Sequence, residues 1–564
     1  MKNKAVAIIL MILLEIHFLV VDGLACTGFY IGAENSENGS SYYGRSEDIA
    51  DNYCKIFGAE KAWSRPENTM YEDIYGFQLP YGGKSYAYTY VKDAPVYGET
   101  IKDSKGNYVW QAYAAAGVNE KGVSVSATVS TECNEKAGEA DPLVADGIRE
   151  ISIPSVLLGK AETARQAVEY LANIIDEYGA GECNSLMIGD TEEVWYFEIV
   201  SGHQYAAIKL PKDKVSVQPN IMLLGVIDIN DHENVVVSDN LVNTAREYNF
   251  LVTDDNGKID VAASYGKYHP DQAMCERYLQ GICYLNSAAK DLKLNDISDN
   301  HQQRPLLFQP DKKISTLEVL RLTACRGEGT AYNANNGSAS YAIGNSNQVE
   351  SHVFEIRENY PIELATLQWQ AMADAEYSIF IPYYSALVKE VNNKYNADSK
   401  TYVKDSLNWV FSEINAICYD YRAEKGKNLC GENIIRYFTQ YQARIIQQQA
   451  EIDKQMLKLF QQDKELAARK ADLLGIDLAD QVYQMADSVL TELREYISAE
   501  EQAEAFVPSA MQKNLMPIYS FDRIKGQEYN IEREISKDTD IVIRNSIVYR
   551  LIPVWWILKA LGII

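Results

Sequence analysis

No CxxC pair, HExxH segment or other metal-ligand spacing occurs in this sequence, and no glycine-rich loop is placed to cradle phosphate. Metal and nucleotide chemistry are therefore not expected, and no cofactor is. Histidine is scarce. There are six in 564 residues, one of them (His17) among the first 25, in no arrangement that suggests a catalytic imidazole. Basic residues are in deficit, 53 against 79 acidic ones, for a formal net charge of −26. So acidic a chain lacks the basic footprint that a nucleic-acid partner requires. No internal repeat stands out, and residues 436–474 contain neither glycine nor proline. What is present, 47% apolar and 23% charged residues, is the composition of an ordinary globular protein. Its length suits about two to four domains.

The first 25 residues differ from the rest. Lys2 and Lys4 precede the apolar stretch "AVAIILMILLEIHFLVV", and "DGLA" follows it. A basic start, an apolar middle and small residues before a boundary describe a secretory signal peptide. Gly23 and Ala25 stand third and first before Cys26, which suits a pocket that accepts only small side chains. Glu15 and His17 interrupt the run and argue against a permanent span. Cleavage after Ala25 would leave Cys26 with a free α-amine, in an extracytoplasmic protein. The other eight cysteines are an even number compatible with disulfides in such a protein. Cys275/Cys283 and Cys418/Cys430 are close enough in sequence to be candidate pairs; buried free thiols are the alternative.

The first half alternates strand and helix patterns. "GFYIGA" and "SSYYGR" flank "ENSENG" as a hairpin, and two strands meet at Asn119–Gly122. A helix is expected in "TARQAVEYLANIIDEYG", with Thr163 as N-cap and Gly179 as its stop. Strands return in "CNSLMIGD", "VWYFEIVSG" and "QYAAIKLP". From about residue 365 helical patterns dominate, and "IIQQQAEIDKQMLKLFQQDKELAARKADLL" reads as a long amphipathic helix or a packed helical pair. The end, "SIVYRLIPVWWILKALGII", is apolar but holds Pro553, Arg550 and Lys559, so docking or membrane-surface contact is preferred to spanning.

An N-terminal cysteine carries two useful groups. The thiol has an ordinary pKa of about 8.5 and the α-amine one of about 7.7–8.0. The amine can take the thiol proton and deliver it to a leaving amine, the role of histidine in other cysteine hydrolases. The thiolate needs positive charge nearby and an oxyanion site. "YYGRSED" offers Arg45 and Asp48; the plain alternative is a surface pair closing a hairpin.

Cys-Thr followed by a strand, a turn and GR-x-x-D resembles the N-terminal-nucleophile hydrolases of the choloylglycine and penicillin V acylase type. It is closer still to their relatives, the cysteine dipeptidases that share a family with the secernins. "GVNEKGVSVSAT", "EVWYFEIVSGHQYAAIKLPKDKVSVQPN", "LTACRGEGTAYN", "SHVFEIRENYP" and "SIFIPYYSA" resemble segments of that family, in order, from Cys26 to about residue 470. The resemblance implies an α+β fold, a four-layer αββα sandwich with a helical C-terminal extension. It implies Cys26 as nucleophile, its α-amine as base, Arg45 and Asp48 as flanking charges, and Asn220 in the oxyanion hole. Arg326 would bind substrate or support the site. The bland readings are a turn Asn220 after Pro219 and a structural Arg326 paired with Glu328. Where acylase relatives carry an Asn after the NEKG hairpin, this chain has "SATVST", so Thr128, Ser130 or Thr131 would substitute in contacting substrate.

The expected product of these residues is an exported dipeptidase acting on short peptides through a thioester. The expected division is a leader at 1–25, a catalytic domain at 26–375, a helical region at 376–510 and a tail at 511–564. Two alternatives stay open: an acylase of bile-salt or penicillin V amides, and a non-catalytic lipoprotein acylated at Cys26. Glycine third before Cys26, where a lipobox usually has leucine, counts against the last. Side-chain preference and oligomeric state are not legible.

Overall fold

The computed structural model describes residues 26–49, 54–94, 114–298, 301–398, 401–425, 428–499 and 505–524. The expected leader and the apolar end of the tail lie outside the described residues.

Two large antiparallel sheets carry the fold. The first orders six strands β14-β1-β2-β16-β17-β18. In chain order these are β1 (Thr27–Ile31), β2 (Ser41–Asp48), β14 (Val215–Pro219), β16 (Gln348–Ile356), β17 (Thr366–Met372) and β18 (Ile381–Tyr383). The second orders eight, β15-β13-β12-β11-β10-β9-β8-β3. These are β3 (Lys55–Glu60), β8 (Tyr88–Asp93), β9 (Ala116–Val118), β10 (Ser124–Ser130), β11 (Asn184–Gly189), β12 (Val194–Ile199), β13 (Tyr205–Lys209) and β15 (Val235–Val237). Two small hairpins, β4 (Trp63–Arg65) with β7 (Gly83–Ser85) and β5 (Met70–Glu72) with β6 (Gln78–Pro80), complete the set.

The two sheets face one another. Tyr43 of β2 donates to the Ser124 carbonyl of β10 at 2.8 Å, Thr89 of β8 donates to Gln368 of β17 at 2.9 Å, and Ser126 of β10 meets His352 of β16 at 2.8 Å. Every residue of β1, β2, β16 and β17 is buried, because both faces of the six-stranded sheet are covered.

Local sequence accounts for much of this. The β1–β2 and β9–β10 hairpins form where expected, the latter over a turn in which Gly122 takes φ +80°. The helix α1 (Ala164–Tyr178) starts at Thr163, whose side chain accepts from the Gln166 amide, and stops at Gly179 with φ +73°. Its buried face covers the eight-stranded sheet through Val168, Leu171 and Ile175. On the six-stranded sheet lie α2 (Gln272–Leu285), against β14, and α3 (Leu407–Lys425), α4 (Gly431–Gln462) and α5 (Lys464–Ser498), near β17 and β18. The long helical stretch is thus a pair: Asp463 breaks it and caps α5 by accepting from the Leu466 amide.

All nine cysteines are free thiols. Cys275 and Cys283 share α2 eight positions apart, about 12 Å along the axis, too far for a disulfide. Cys418 and Cys430 are buried thiols, and burial pushes both up, so both stay protonated.

Candidate active site

Cys26 is buried immediately before β1. Antiparallel pairing sets Thr27 opposite Ser46 on one side and Pro219 on the other, so the end of β2 and the residue after β14 flank the cysteine. This register brings Arg45, Asp48 and Asn220 to Cys26 from 19, 22 and 194 positions away in sequence.

Arg45 and Asp48 are wholly buried, not a surface pair. Three positions apart on one strand, they point to opposite faces. Arg45 turns toward the second sheet and pairs with Glu47 at 3.1 Å and Glu150 at 2.8 Å; Glu47 is also held by Lys55 at 2.7 Å. Burial opposes the Arg45 charge, but Glu47, Cys26 and Glu150 together carry it above its ordinary value, so it stays cationic. Asp48 turns toward α2. Its Oδ2 accepts from Asn345 at 2.7 Å and from Tyr341 at 3.3 Å, while its buried Oδ1 has no hydrogen-bond partner among the described residues. Burial pushes the Asp48 carboxyl well up, against the pull of the Arg277 cation.

Arg277, which sequence reading passed over, ties the site together. Its Nη1 donates to the Cys26 carbonyl at 2.5 Å and to Thr27 Oγ1 at 2.8 Å, and its Nη2 donates to Asn220 Oδ1 at 2.8 Å. Asn220 in turn donates through Nδ2 to the Ser130 carbonyl at 2.8 Å. That contact leaves one Nδ2 proton unspent and fixes the amide in place. One helical turn on, Gly281 lets α2 sit close to β14. A Cβ there would fall 2.4 Å from Val217 Cγ1. Nothing in the local sequence marks Arg277; only the structure shows that Glu276, Arg277 and Gln280, polar residues of α2, are buried.

Thr128 falls at the irregular step in β10 pairing between Ala127 and Val129; its side chain lies outside the described residues. Arg326 belongs to a different cluster. It donates to the Gly344 carbonyl at 2.5 Å and to Asn335 at 2.6 Å, and it lies 3.8 Å from Glu376 and 5.3 Å from the Tyr419 ring. Glu328 accepts from its backbone amide at 3.0 Å rather than from its guanidinium.

One more set of side chains imitates a catalytic chain. Ser126 Oγ lies 2.8 Å from His352 Nε2, and His352 Nδ1 lies 3.0 Å from Glu350. His352 and Glu350 are 0% exposed and Ser126 is 3% exposed, between the sheets. Their role is to satisfy one another beside Arg45, which pairs with His352 in register. Among the described residues no group of three or more His, Cys, Asp or Glu side chains is arranged to hold a metal ion.

At rest the thiol is protonated. Burial pushes Cys26 up to about 12; Arg45 draws it down, while Glu150, Glu47 and Asp48 push it up. Attack by this sulfur therefore requires a base that removes the proton as the new bond forms.

The chain belongs to peptidase family C69, whose model matches residues 25–429. It is a peptidase. A probable dipeptidase B of Streptococcus pyogenes serotype M1 is 31% identical over 510 residues, covering 87% of this chain and 97% of that protein. A probable dipeptidase of Latilactobacillus sakei is 27% identical over 380 residues, covering 64% of this chain and 74% of that protein. A mutant conjugated bile acid hydrolase of Clostridium perfringens aligns structurally over 62% of this chain and 89% of that one. It does so at 14% identity and a TM-score of 0.24.

Proposed function

We propose that this peptidase is an exported dipeptidase whose nucleophile is the Cys26 thiolate and whose general base is the α-amine of the same residue, freed by cleavage after Ala25. The observation that carries the reading is the buried Oδ1 of Asp48, without a hydrogen-bond partner among the described residues, on a strand end that flanks Cys26, with Arg277 gripping the Cys26 carbonyl. A cysteinyl ammonium would supply the partner this carboxylate lacks. The start of the family match at residue 25 and the names of the relatives, probable dipeptidases, support the same reading. The two facing sheets with helices outside them support a four-layer αββα N-terminal-nucleophile sandwich carrying α3, α4 and α5 as a helical extension.

In this mechanism the α-amine takes the thiol proton as sulfur attacks the peptide carbonyl carbon. The developing oxyanion is met by the free Nδ2 proton of Asn220, which Arg277 and the Ser130 carbonyl hold in orientation. The C–N bond breaks, the ammonium returns its proton to the leaving amine, and a thioester remains. Water, deprotonated by the same amine, hydrolyses the thioester and restores the thiol. Arg45 stabilises the negative charge that develops on sulfur as its proton leaves and again as the thioester bond breaks.

The test combines two measurements on purified mature protein. Mass spectrometry is expected to find a free cysteinyl N-terminus, and Cys26→Ala is expected to fold normally and lose dipeptide hydrolysis. A diacylglycerol adduct, or a Cys26→Ala variant with full activity, overturns the assignment. Activity on bile-salt or penicillin V amides with none on dipeptides would move the substrate class to the acylases.

A further inference from the structure

Three carboxylates act on the Cys26 thiol: Glu150, Glu47 and Asp48. Two of them are committed. Glu47 is buried between two cations, Arg45 at 3.1 Å and Lys55 at 2.7 Å. Asp48 is buried on the opposite face with Asn345 and Tyr341, under the charge of Arg277. Glu150 is the one of the three that is not wholly buried and, unlike the Asp48 Oδ1, has no part in holding the Cys26 amine in the proposed mechanism. Only its Oε1 is engaged, by Arg45; Oε2 takes no hydrogen bond among the described residues, and the side chain is 20% exposed.

Glu150 is also held firmly. Its backbone amide donates to Glu182 Oε1 at 2.5 Å, and the neighbouring Arg149 donates to the Gly181 carbonyl at 2.7 Å. From Cys26 outward the exposure of the charged side chains rises, from 1% at Arg45 to 20% at Glu150 and 32% at Glu182. Glu150 is the exposed edge of the Arg45 pair, and its Oε2 is the oxygen that the pair leaves unengaged.

A dipeptide carries its α-ammonium two bonds from the carbonyl carbon that sulfur attacks, about 2.5 Å away. Whatever recognises that cation must therefore stand beside the nucleophile. A buried or half-buried ammonium without a counter-charge is strongly disfavoured, and a charge-assisted hydrogen bond is the usual remedy.

We propose that Glu150 receives the free α-ammonium of the substrate's first residue, and so restricts this site to peptides with an unblocked N-terminus. The inference rests on Cys26 being the nucleophile and names the part of the substrate read beside it. An N-acylated peptide or a fatty-acyl amide would present the Glu150 oxygen with a neutral group and forgo the charge-assisted hydrogen bond that a free α-ammonium makes.

The experiment measures kcat/KM on a panel of dipeptides and on their N-acetyl forms, using mature enzyme. Wild type is expected to prefer the free forms at least about 100-fold; equal rates on both overturn the proposal. In Glu150→Gln, kcat/KM on free dipeptides is expected to fall about 50-fold, mainly through KM, while the N-acetyl rates hold or rise. An equal fall on both series would mean that Glu150 merely supports Arg45, and sinks the proposal. Glu150→Asp, which keeps the charge on a shorter arm, is expected to recover part of the preference. Alkylation of Cys26 by iodoacetamide, followed in each variant, keeps the two readings apart. An unmodified, dispensable Cys26 defeats the nucleophile assignment, whereas an intact Cys26 with an unchanged free-to-acetyl ratio defeats only the role of Glu150.

Discussion

Arg277 donates to the carbonyl oxygen of Cys26 at 2.5 Å across 251 positions of sequence. The same guanidinium reaches Asn220 with its other terminal nitrogen, so one planar fork sets the relative position of the residue before β1 and the residue after β14. A fork with fixed geometry does this better than a flexible ammonium, because both contacts come from one rigid plane.

Arg277→Lys is therefore expected to lower kcat by about 10- to 100-fold, the effect of losing a charge-assisted hydrogen bond, with little change in KM or melting temperature. The positive charge facing Asp48 is retained. Arg277→Met removes it together with the fork's hydrogen bonds and leaves the Cys26 carbonyl and Asn220 Oδ1 without their donor, which is expected to cost about 1–3 kcal/mol of stability. Steady-state kinetics and urea denaturation of the two variants separate the positioning role from the electrostatic one. If Arg277→Lys matches wild type in kcat, the fork does not organise the site.

Asp48 gives a pH prediction. In the proposed mechanism a carboxylate beside the Cys26 ammonium would favour the protonated amine, and the base would work only when that amine is neutral. Removing the charge in Asp48→Asn lowers the amine's affinity for its proton, so the acid limb of kcat/KM against pH is expected to move down by about one pH unit. The maximal rate is expected to fall as well, because the amine loses its orienting acceptor. A limb that stays in place would mean that Asp48 does not face the amine.

Glu198 makes folding itself depend on pH. It lies fully buried in β12, accepting from Tyr196 at 2.6 Å and from the Leu223 amide at 2.7 Å, three residues beyond Asn220. Burial pushes its carboxyl from an ordinary 4.5 up to about 7, against the hydrogen bonds that favour the anion. Between those values the folded chain holds a proton that the unfolded chain has released. Stability from this group is thus complete below about 4.5 and is lost as pH rises through about 7, by about 3 kcal/mol in all. Glu198→Gln is expected to lack that slope. Urea denaturation of both proteins at pH 4.5 and 7.5 should show the variant gaining on wild type at the higher pH; a constant difference would exclude Glu198 as the source.

Several features were legible because short stretches decide them. The Thr163 cap, the Gly179 stop and the Asn119–Gly122 turn follow from the local conformational preferences of a few residues, and the structure has all three. Cys26 could be picked out by the pattern before it, Arg45 and Asp48 by the short segment that holds them, and Asn220 only through the family resemblance; β1, β2 and β14 bring them together. The orientation of Arg45 and Asp48 was not legible from spacing alone. Only the sheet shows that one faces the second sheet and Glu150 while the other faces α2 and Asn345.

Arg326 and Arg277 mark the boundary most clearly. A conspicuous local segment drew attention to Arg326, yet its guanidinium lies with Glu376 and Tyr419. Arg277 sits in an unremarkable stretch of helix and reaches Cys26 because Gly281 lets α2 approach β14. By itself the sequence determined the alternation of strands and helices, the acidic balance and a cysteine behind a cleavable-looking leader, since each depends on neighbours a few residues apart. Which cation grips that cysteine, which carboxylate is left with a free oxygen, and which serine–histidine pair is sealed away from solvent were decided by tertiary structure. Burial and charge pairing act between segments hundreds of residues apart, and their strength depends on distances that no linear spacing encodes.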